Sequence, residues 1–333
     1  MIYSYQNFSE QKYKMKFAKD FSGSVFSYDV SVVSEFRRLL SHELKVPLKM
    51  IKLLGEDKNL EDDHVLSDEV VYNFFIDHTN SLLDWVPVDK LNYSNLSANT
   101  HPGAIRLLEE NLKRVHWPTL SSNPSAIHLL EQNLDKVRWY DLSYNPAAVH
   151  LLEKNLDKVN WYALSGNPAA VHLLEQNLDK VDWVRLSQNP AAVHLLEQNL
   201  DKVDWFYLSK NPSAIHLIEQ NLDKVKWVAL FSNPAAIHLL EQNLDNDKLR
   251  WSLLSENPAA IHLLEQNLDK VDWFRLSDNN NPDAVHLLEQ NLDKVDWRWI
   301  SKNPSAIHLL EQNIEKVDWS FLSTNPAIFY PEV

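Results

Sequence analysis

Apolar residues recur along most of this chain in one order, repeated almost word for word. In residues 189–210, Asn189-Pro190 is followed by Val193, Leu196 and Leu200, three and four apart, and then by Trp205 and Leu208. Spacing of that kind is one face of a helix. The order begins again at Asn211-Pro212. Trp117, Trp139, Trp161, Trp183, Trp205 and Trp227 are 22 residues apart, and Trp251, Trp273, Trp297 and Trp319 continue the series at intervals of 24, 22, 24 and 22. A short fixed period over most of a chain marks a solenoid. Each unit is too small to bury its own apolar face and stacks on its neighbours.

Each repeat predicts two helices. Asn189 suits an N-cap and Pro190 the first helical position, where no N–H is needed. Asn199 closes this helix in the left-handed conformation that Asn tolerates. Leu-Asp-Lys-Val is then a turn, and Trp205 to Ser209 a second helix of a turn or two. The two longer intervals place their extra residues at Asn246-Asp247 and within Asn279-Asn280-Asn281, both in expected loops, where insertions are tolerated.

Residues 1–12 read as a flexible lead, and residues 13–78 do not follow the repeat. Phe26, Tyr28 and Val30 alternate with polar residues as in a strand. Val33, Phe36 and Leu40 have helical spacing, and Pro47 ends that helix. Met50 to Leu54 and Val70 to Ile76 suit buried strands. Lys45-Val46-Pro47 resembles the Gly-Ile-Pro that ends ubiquitin's helix. Leu53-Leu54 with Lys58-Asn59-Leu60-Glu61-Asp62, Leu66-Ser67-Asp68 and Phe21-Ser22-Gly23 are similar to further ubiquitin motifs in the same order. The resemblance implies a β-grasp fold. It also implies that Phe21, Leu54 and Phe75 form an apolar recognition patch for ubiquitin-recognising proteins. There is no Gly-Gly terminus to this unit, so conjugation is not expected.

The expected fold class is therefore an α+β ubiquitin-like domain (13–78) followed by an all-α solenoid of 22–24-residue two-helix repeats (100–328). Residues 79–99 form a linker and N-terminal cap, in which Asp89 to Ser97 is a degenerate repeat with Tyr93 for Trp; residues 329–333 are a tail. The repeat resembles short solenoid repeats abundant in large DNA viruses of amoebae, and is similar to leucine-rich repeat variant solenoids. A viral origin would favour a target in the host cytoplasm.

Composition narrows the function. The net charge is -14, with 11 basic against 15 acidic residues in 1–95 and 21 against 31 in the rest. That balance weighs against nucleic acid and anionic membranes. There are no cysteines and only 4 glycines, which excludes disulfides, thiol chemistry and Gly-rich phosphate loops. No run approaches the ~20 apolar residues of a spanning helix. The expectation is a cytoplasmic protein.

The histidines at 128, 150, 172, 194, 216, 238, 262, 286 and 308 invite a metal ladder. Equivalent helices ~8–10 Å apart do not bring two imidazoles within ~2.1 Å of one ion. No metal or cofactor is expected. Glu197 and Asp201 recur in every repeat, whereas an active site breaks symmetry; they are expected to pair with Lys202 or His194 on the surface. The Trp series is expected in the core. What varies is more telling. The two residues after each Trp and the residue after each Ser change freely and are rich in aromatics and Arg, types enriched at interfaces. Tyr140, Tyr144, Tyr162, Arg185, Phe206, Tyr207, Phe274, Arg275, Arg298 and Trp299 are the candidate partner-binding residues. At about 9 Å per repeat they would form a strip roughly 90 Å long. Such a strip suits a protein or extended peptide better than a small-molecule substrate. The expected function is a non-enzymatic scaffold whose head meets the ubiquitin pathway and whose solenoid holds a second protein. The alternative is a structural or assembly protein, for example of a virion, in which the head only caps the solenoid.

Overall fold

A buried asparagine lies at the centre of every repeat. The computed structural model describes residues 16–19, 25–28, 33–44, 51–55, 58–59, 71–76, 82–243, 245 and 248–330, with 43–44 and the strands among them described by backbone alone. Contacts divide the chain into two units, Asp84–Ile328 and the remainder.

In the larger unit a repeat begins with a single 3₁₀ turn, Pro190–Ala192, and an α-helix, Val193–Glu197. Turns lead to the second helix, Trp205–Ser209. Pro at the first position and the Asn189 side chain, which accepts from the Ala191 N–H at 3.0 Å, start the first segment as expected. The chain then departs from the expected continuous helix. Ala192, Leu195 and Leu196 are the buried positions, while Leu200 is not in the core. Asn199 does not close the helix in a left-handed conformation. It donates its amide to the Leu195 carbonyl at 2.9 Å, and the equivalent Asn221 has φ -135°.

The repeats are joined by the other asparagine. Asn189 Nδ2 donates to the carbonyls of Ser165 and Asn167 in the preceding repeat, both at 3.1 Å. Beside it, Ser187 Oγ donates to the Trp183 carbonyl at 2.7 Å and accepts the Asp204 N–H of the next repeat at 3.0 Å. Lys202 lies over the Trp183 ring at 4.7 Å, so the tryptophans are half-buried beneath the lysine of the following repeat rather than sealed in the core. Among the described residues, eleven such asparagines are buried: Asn99, Asn123, Asn145, Asn167, Asn189, Asn211, Asn233, Asn257, Asn279, Asn303 and Asn325.

The series has no end. Asn99 donates to the carbonyls of Ser323 and Asn325 at 3.1 and 3.0 Å. Asn92 N–H donates to Ser323 Oγ at 2.8 Å, and Lys90 lies over Trp319 at 4.6 Å. These are the same three contacts that join consecutive repeats, so the last repeat stacks on the first and the array is a closed ring. The turn Pro326–Ile328 from one end of this unit and the helix Tyr93–Leu96 from the other supply the two halves of one repeat. Residues 89–99 are thus an internal member of a circle, not a terminal cap, and the open strip expected from the sequence closes on itself. The physical reason is a small constant rotation at each step, which the repeat's wording does not disclose.

Three places depart from the common repeat. At Asn279-Asn280-Asn281 the insertion splits the roles of one asparagine: Asn279 keeps the bond to the Ser255 carbonyl at 3.0 Å, and Asn281 caps the following helix. Asn99 and His101 divide the same work. Phe231 fills a serine position, 3% exposed, and its carbonyl still accepts from Asn257 at 2.9 Å. The insertion Asn246-Asp247 that follows lies outside the described residues.

In the other unit, backbone pairing is given for β1 (Lys16–Lys19), β2 (Val25–Tyr28), β3 (Ile51–Gly55), β4 (Lys58–Asn59) and β5 (Val71–Ile76), in the order β2-β1-β5-β3-β4. One helix, Val33–Leu44, buries Val33, Phe36 and Leu40. The residues described in full are 64% helix and 1% strand. They make this a helical repeat protein, and the α+β ubiquitin-like part of the expected class is corrected accordingly. Its basis was a set of short motifs, which fix turns and recur on unrelated folds.

The ladder makes a definite forecast. Asn189→Ala strands two buried carbonyls and an N–H, and should lower stability by about 2–4 kcal/mol in denaturant melts. Asn189→Asp keeps the shape but sets a carboxylate against carbonyls, raising its folded pKa above the unfolded value. That variant should be most stable in acid and lose stability as pH rises toward neutrality. A neutral-pH loss for either variant under ~0.5 kcal/mol would remove the ladder's importance.

Candidate functional site: the inner face of the ring

The second helix of each repeat presents the variable residues. Asp204 caps it, accepting from the Phe206 and Tyr207 N–H groups at 2.9 and 3.1 Å. Leu208 and Ser209 turn into the stack and are fully buried. Helical geometry then puts the first, second and fifth residues after Trp on the opposite side. Consecutive Trp helices approach one another more closely than consecutive helices of the Val193–Glu197 type. In a closed ring the more closely spaced layer has the smaller circumference. The variable face therefore looks inward.

The structure gathers most of the candidate residues into clusters. Tyr140 and Tyr144 meet edge to face at 5.5 Å, and Arg185, two repeats on, lies 6.0 Å from the Tyr144 ring and 4.5 Å from Tyr162. Gly166 stands between: a Cβ there would lie 3.7 Å from Tyr144. Phe206 and Tyr207 form a second pair at 5.3 Å, with Lys210 over Phe206 at 4.8 Å. Phe274, Trp299 and Phe321 make a row across three repeats at 5.7 and 5.5 Å, with Arg298 over Phe321 and Lys302 over Trp299. Tyr162 and Phe274 remain 41% and 53% exposed, so this face is not repeat-by-repeat core packing. Arg275 is engaged elsewhere, donating to Glu256 at 2.6 Å.

Phe321, Lys210 and Lys302 belong to this face although they were not among the candidates. The signal was available: each stands in the same column as a candidate. The leucine that ends the first apolar stripe was expected in the core, yet Leu134, Leu156, Leu178 and their equivalents are about two-fifths exposed. Identical wording in every repeat made this row look like core.

The histidines pair between repeats. His194 Nε2 meets Glu175 at 2.6 Å and Glu197 meets His216 at 2.5 Å, so the expected pairing of Glu197 with its own repeat's His194 or Lys202 is corrected. The physical reason is that residues on stacked helices face each other across the groove. Among the described residues no group of three or more His, Cys, Asp or Glu is placed to hold a metal. Phe21 lies outside the described residues, and Leu54 and Phe75 are given by backbone alone, so their patch has no side-chain description. No protein-family model matches the chain, and no curated protein matches it.

Burial pushes the Tyr144 hydroxyl up to about 12, with the bond to Tyr140 adding to the effect and Arg185 opposing it. At neutral pH Tyr144 is a neutral donor. Its folded pKa exceeds the ordinary value of about 10, so its contribution to stability is full below that value and is lost as pH rises through 12. Tyr144→Phe should remove one phenol that ionises near 12 in an ultraviolet titration and flatten stability between those values. A missing ionisation at ordinary alkaline pH instead would contradict the burial.

Proposed function

We propose that the protein is a non-enzymatic interaction scaffold whose ring holds a segment of a partner protein against its inner face. One observation carries this reading. Within a framework repeated almost unchanged, the inward positions vary freely, as does the residue before each Trp, and the inward ones are rich in exposed aromatics and cations. Aromatic residues and Arg dominate binding energy where interfaces are measured. The ubiquitin-pathway partner is not carried forward, because it rested on the head's fold. A chain without cysteine is compatible with a reducing cytoplasm, the setting proposed for the scaffold. Among the described residues, no helix is long and apolar enough to cross a membrane.

The half-exposed leucine row favours a second reading, an assembly protein whose rings stack through that row. Light scattering separates the two: Leu156→Ser with Leu178→Ser and Leu222→Ser should leave the particle mass unchanged if the protein is a scaffold, and reduce it if the row joins rings.

The scaffold reading is tested by replacing Tyr162, Phe206 and Tyr207 with Ala together, beside a control replacing His172, His194 and His216 with Ala. Quantitative affinity purification should lose the bound protein with the aromatic variant and retain it with the histidine variant. Both melting temperatures should stay above the assay temperature. Equal retention by both variants would overturn the proposal.

A further inference from the structure

The inward face carries charge that the chain as a whole does not. Its acids are each matched: Asp141 with Arg138, Glu256 with Arg275 at 2.6 Å, and Asp278 with Lys302 at 2.7 Å. The capping carboxylates Asp182, Asp204 and Asp296 at the helix starts accept backbone N–H groups. Three cations remain. Among the described residues Arg185, Lys210 and Arg298 have no carboxylate within ion-pair distance, and each lies over an aromatic ring, at 4.5, 4.8 and 4.5 Å. A cation over a ring keeps its charge and is held in place without being neutralised. At the first, second and fifth positions after the tryptophans, five cations (Arg185, Lys210, Arg275, Arg298 and Lys302) stand against three acids (Asp141, Glu256 and Asp278), on a chain of net charge -14. Since acidic residues dominate the chain, uncompensated cations oriented by ring contacts mark where an anion is received.

The spacing of the cations decides between anionic occupants. A nucleic-acid strand presents a phosphate at every step and needs cations along its whole path. Between Lys210 and Arg298 the inward positions include Val228, Ser252 and Leu253, which offer no charge. Sparse cations among apolar and aromatic side chains match a polypeptide with occasional carboxylates. Eleven steps of about 8 Å give a circle of roughly 30 Å at the helix axes. Removing one helix radius on each side leaves roughly 20 Å, wide enough for an extended or helical segment.

We infer that the occupant of the ring is an acidic polypeptide segment whose carboxylates are taken by Arg185, Lys210 and Arg298 while its apolar side chains pack on the neighbouring aromatics. This deepens the scaffold reading and rests on it. The Tyr140–Tyr144–Tyr162 cluster beside Arg185 adds hydroxyl donors for one such carboxylate. Arg275, already paired, contributes little.

A displayed library of random short peptides, selected on the purified full chain, tests this directly. The enriched peptides should carry more Asp and Glu than the starting library. Their affinity, measured by calorimetry, should fall about tenfold or more for Arg185→Gln with Lys210→Gln and Arg298→Gln. Arg275→Gln should change it little. Matched melting curves exclude misfolding, and Arg185→Lys with Arg298→Lys should restore part of the affinity. Enrichment of neutral or basic peptides that still require Tyr162, Phe206 and Tyr207 would overturn the acidic occupant and leave the scaffold standing. Enrichment of none would count against both. An oligothymidylate binding more tightly than the selected peptides would overturn the choice of polypeptide over nucleic acid.

Discussion

The structure depends on one side chain doing three things at once. The amide of Asn189 gives both its N–H bonds to the preceding repeat and uses its oxygen to start its own helix. No other residue type of that size has two donors and an acceptor on one planar group. A buried serine carbonyl and a buried asparagine carbonyl thereby find partners that neither short helix could supply. Helices this short leave many backbone groups unsatisfied. The ladder turns that liability into the connection between repeats, and the apolar positions Ala192, Leu195, Leu196 and Leu208 fill the space around it.

Closure follows from repetition of that one step. An open solenoid leaves an unpaired asparagine face at one end and two unpaired carbonyls at the other. Here Asn99 meets the carbonyls of Ser323 and Asn325, so neither end is left. One repeat is completed by the two ends of the same unit, Pro326–Ile328 and Tyr93–Leu96. That arrangement links the two ends of this unit non-covalently and makes the ring a single cooperative object. It also bends the variable face inward, which turns an open strip into an enclosed one. The constant residues build the circle, and the residues they leave free are the ones it encloses.

Much of this was legible in the wording of the chain. Asn-Pro at each start, the turn at Leu-Asp-Lys-Val and the short helix after Trp are local chemistry, and local chemistry is written in adjacent residues. The inward columns were legible because they vary where the rest does not. Three things were not. The ladder asparagine reads as a helix cap, and capping is only one of its roles; the other needs the neighbouring repeat to be in place. Leu178 reads as core because it is apolar and invariant in wording, yet it is 40% exposed. Closure depends on a rotation of each repeat against the next, summed around the circle, and no residue spells out an angle.

Closure of the ring is the feature on which the enclosed inner face depends. The chain has no cysteine, so a pair introduced at Ala98 and Thr324 can be spin-labelled without background. Both are fifth positions after the residue that starts a second helix, in repeats that meet only if the circle closes. A second labelled pair at Gln188 and Lys210 occupies the same positions in repeats joined in sequence. The account requires the two pairs to give the same distance by pulsed electron resonance. A separation between residues 98 and 324 of several repeat steps, with the 188–210 pair unchanged, would show an open array and contradict it.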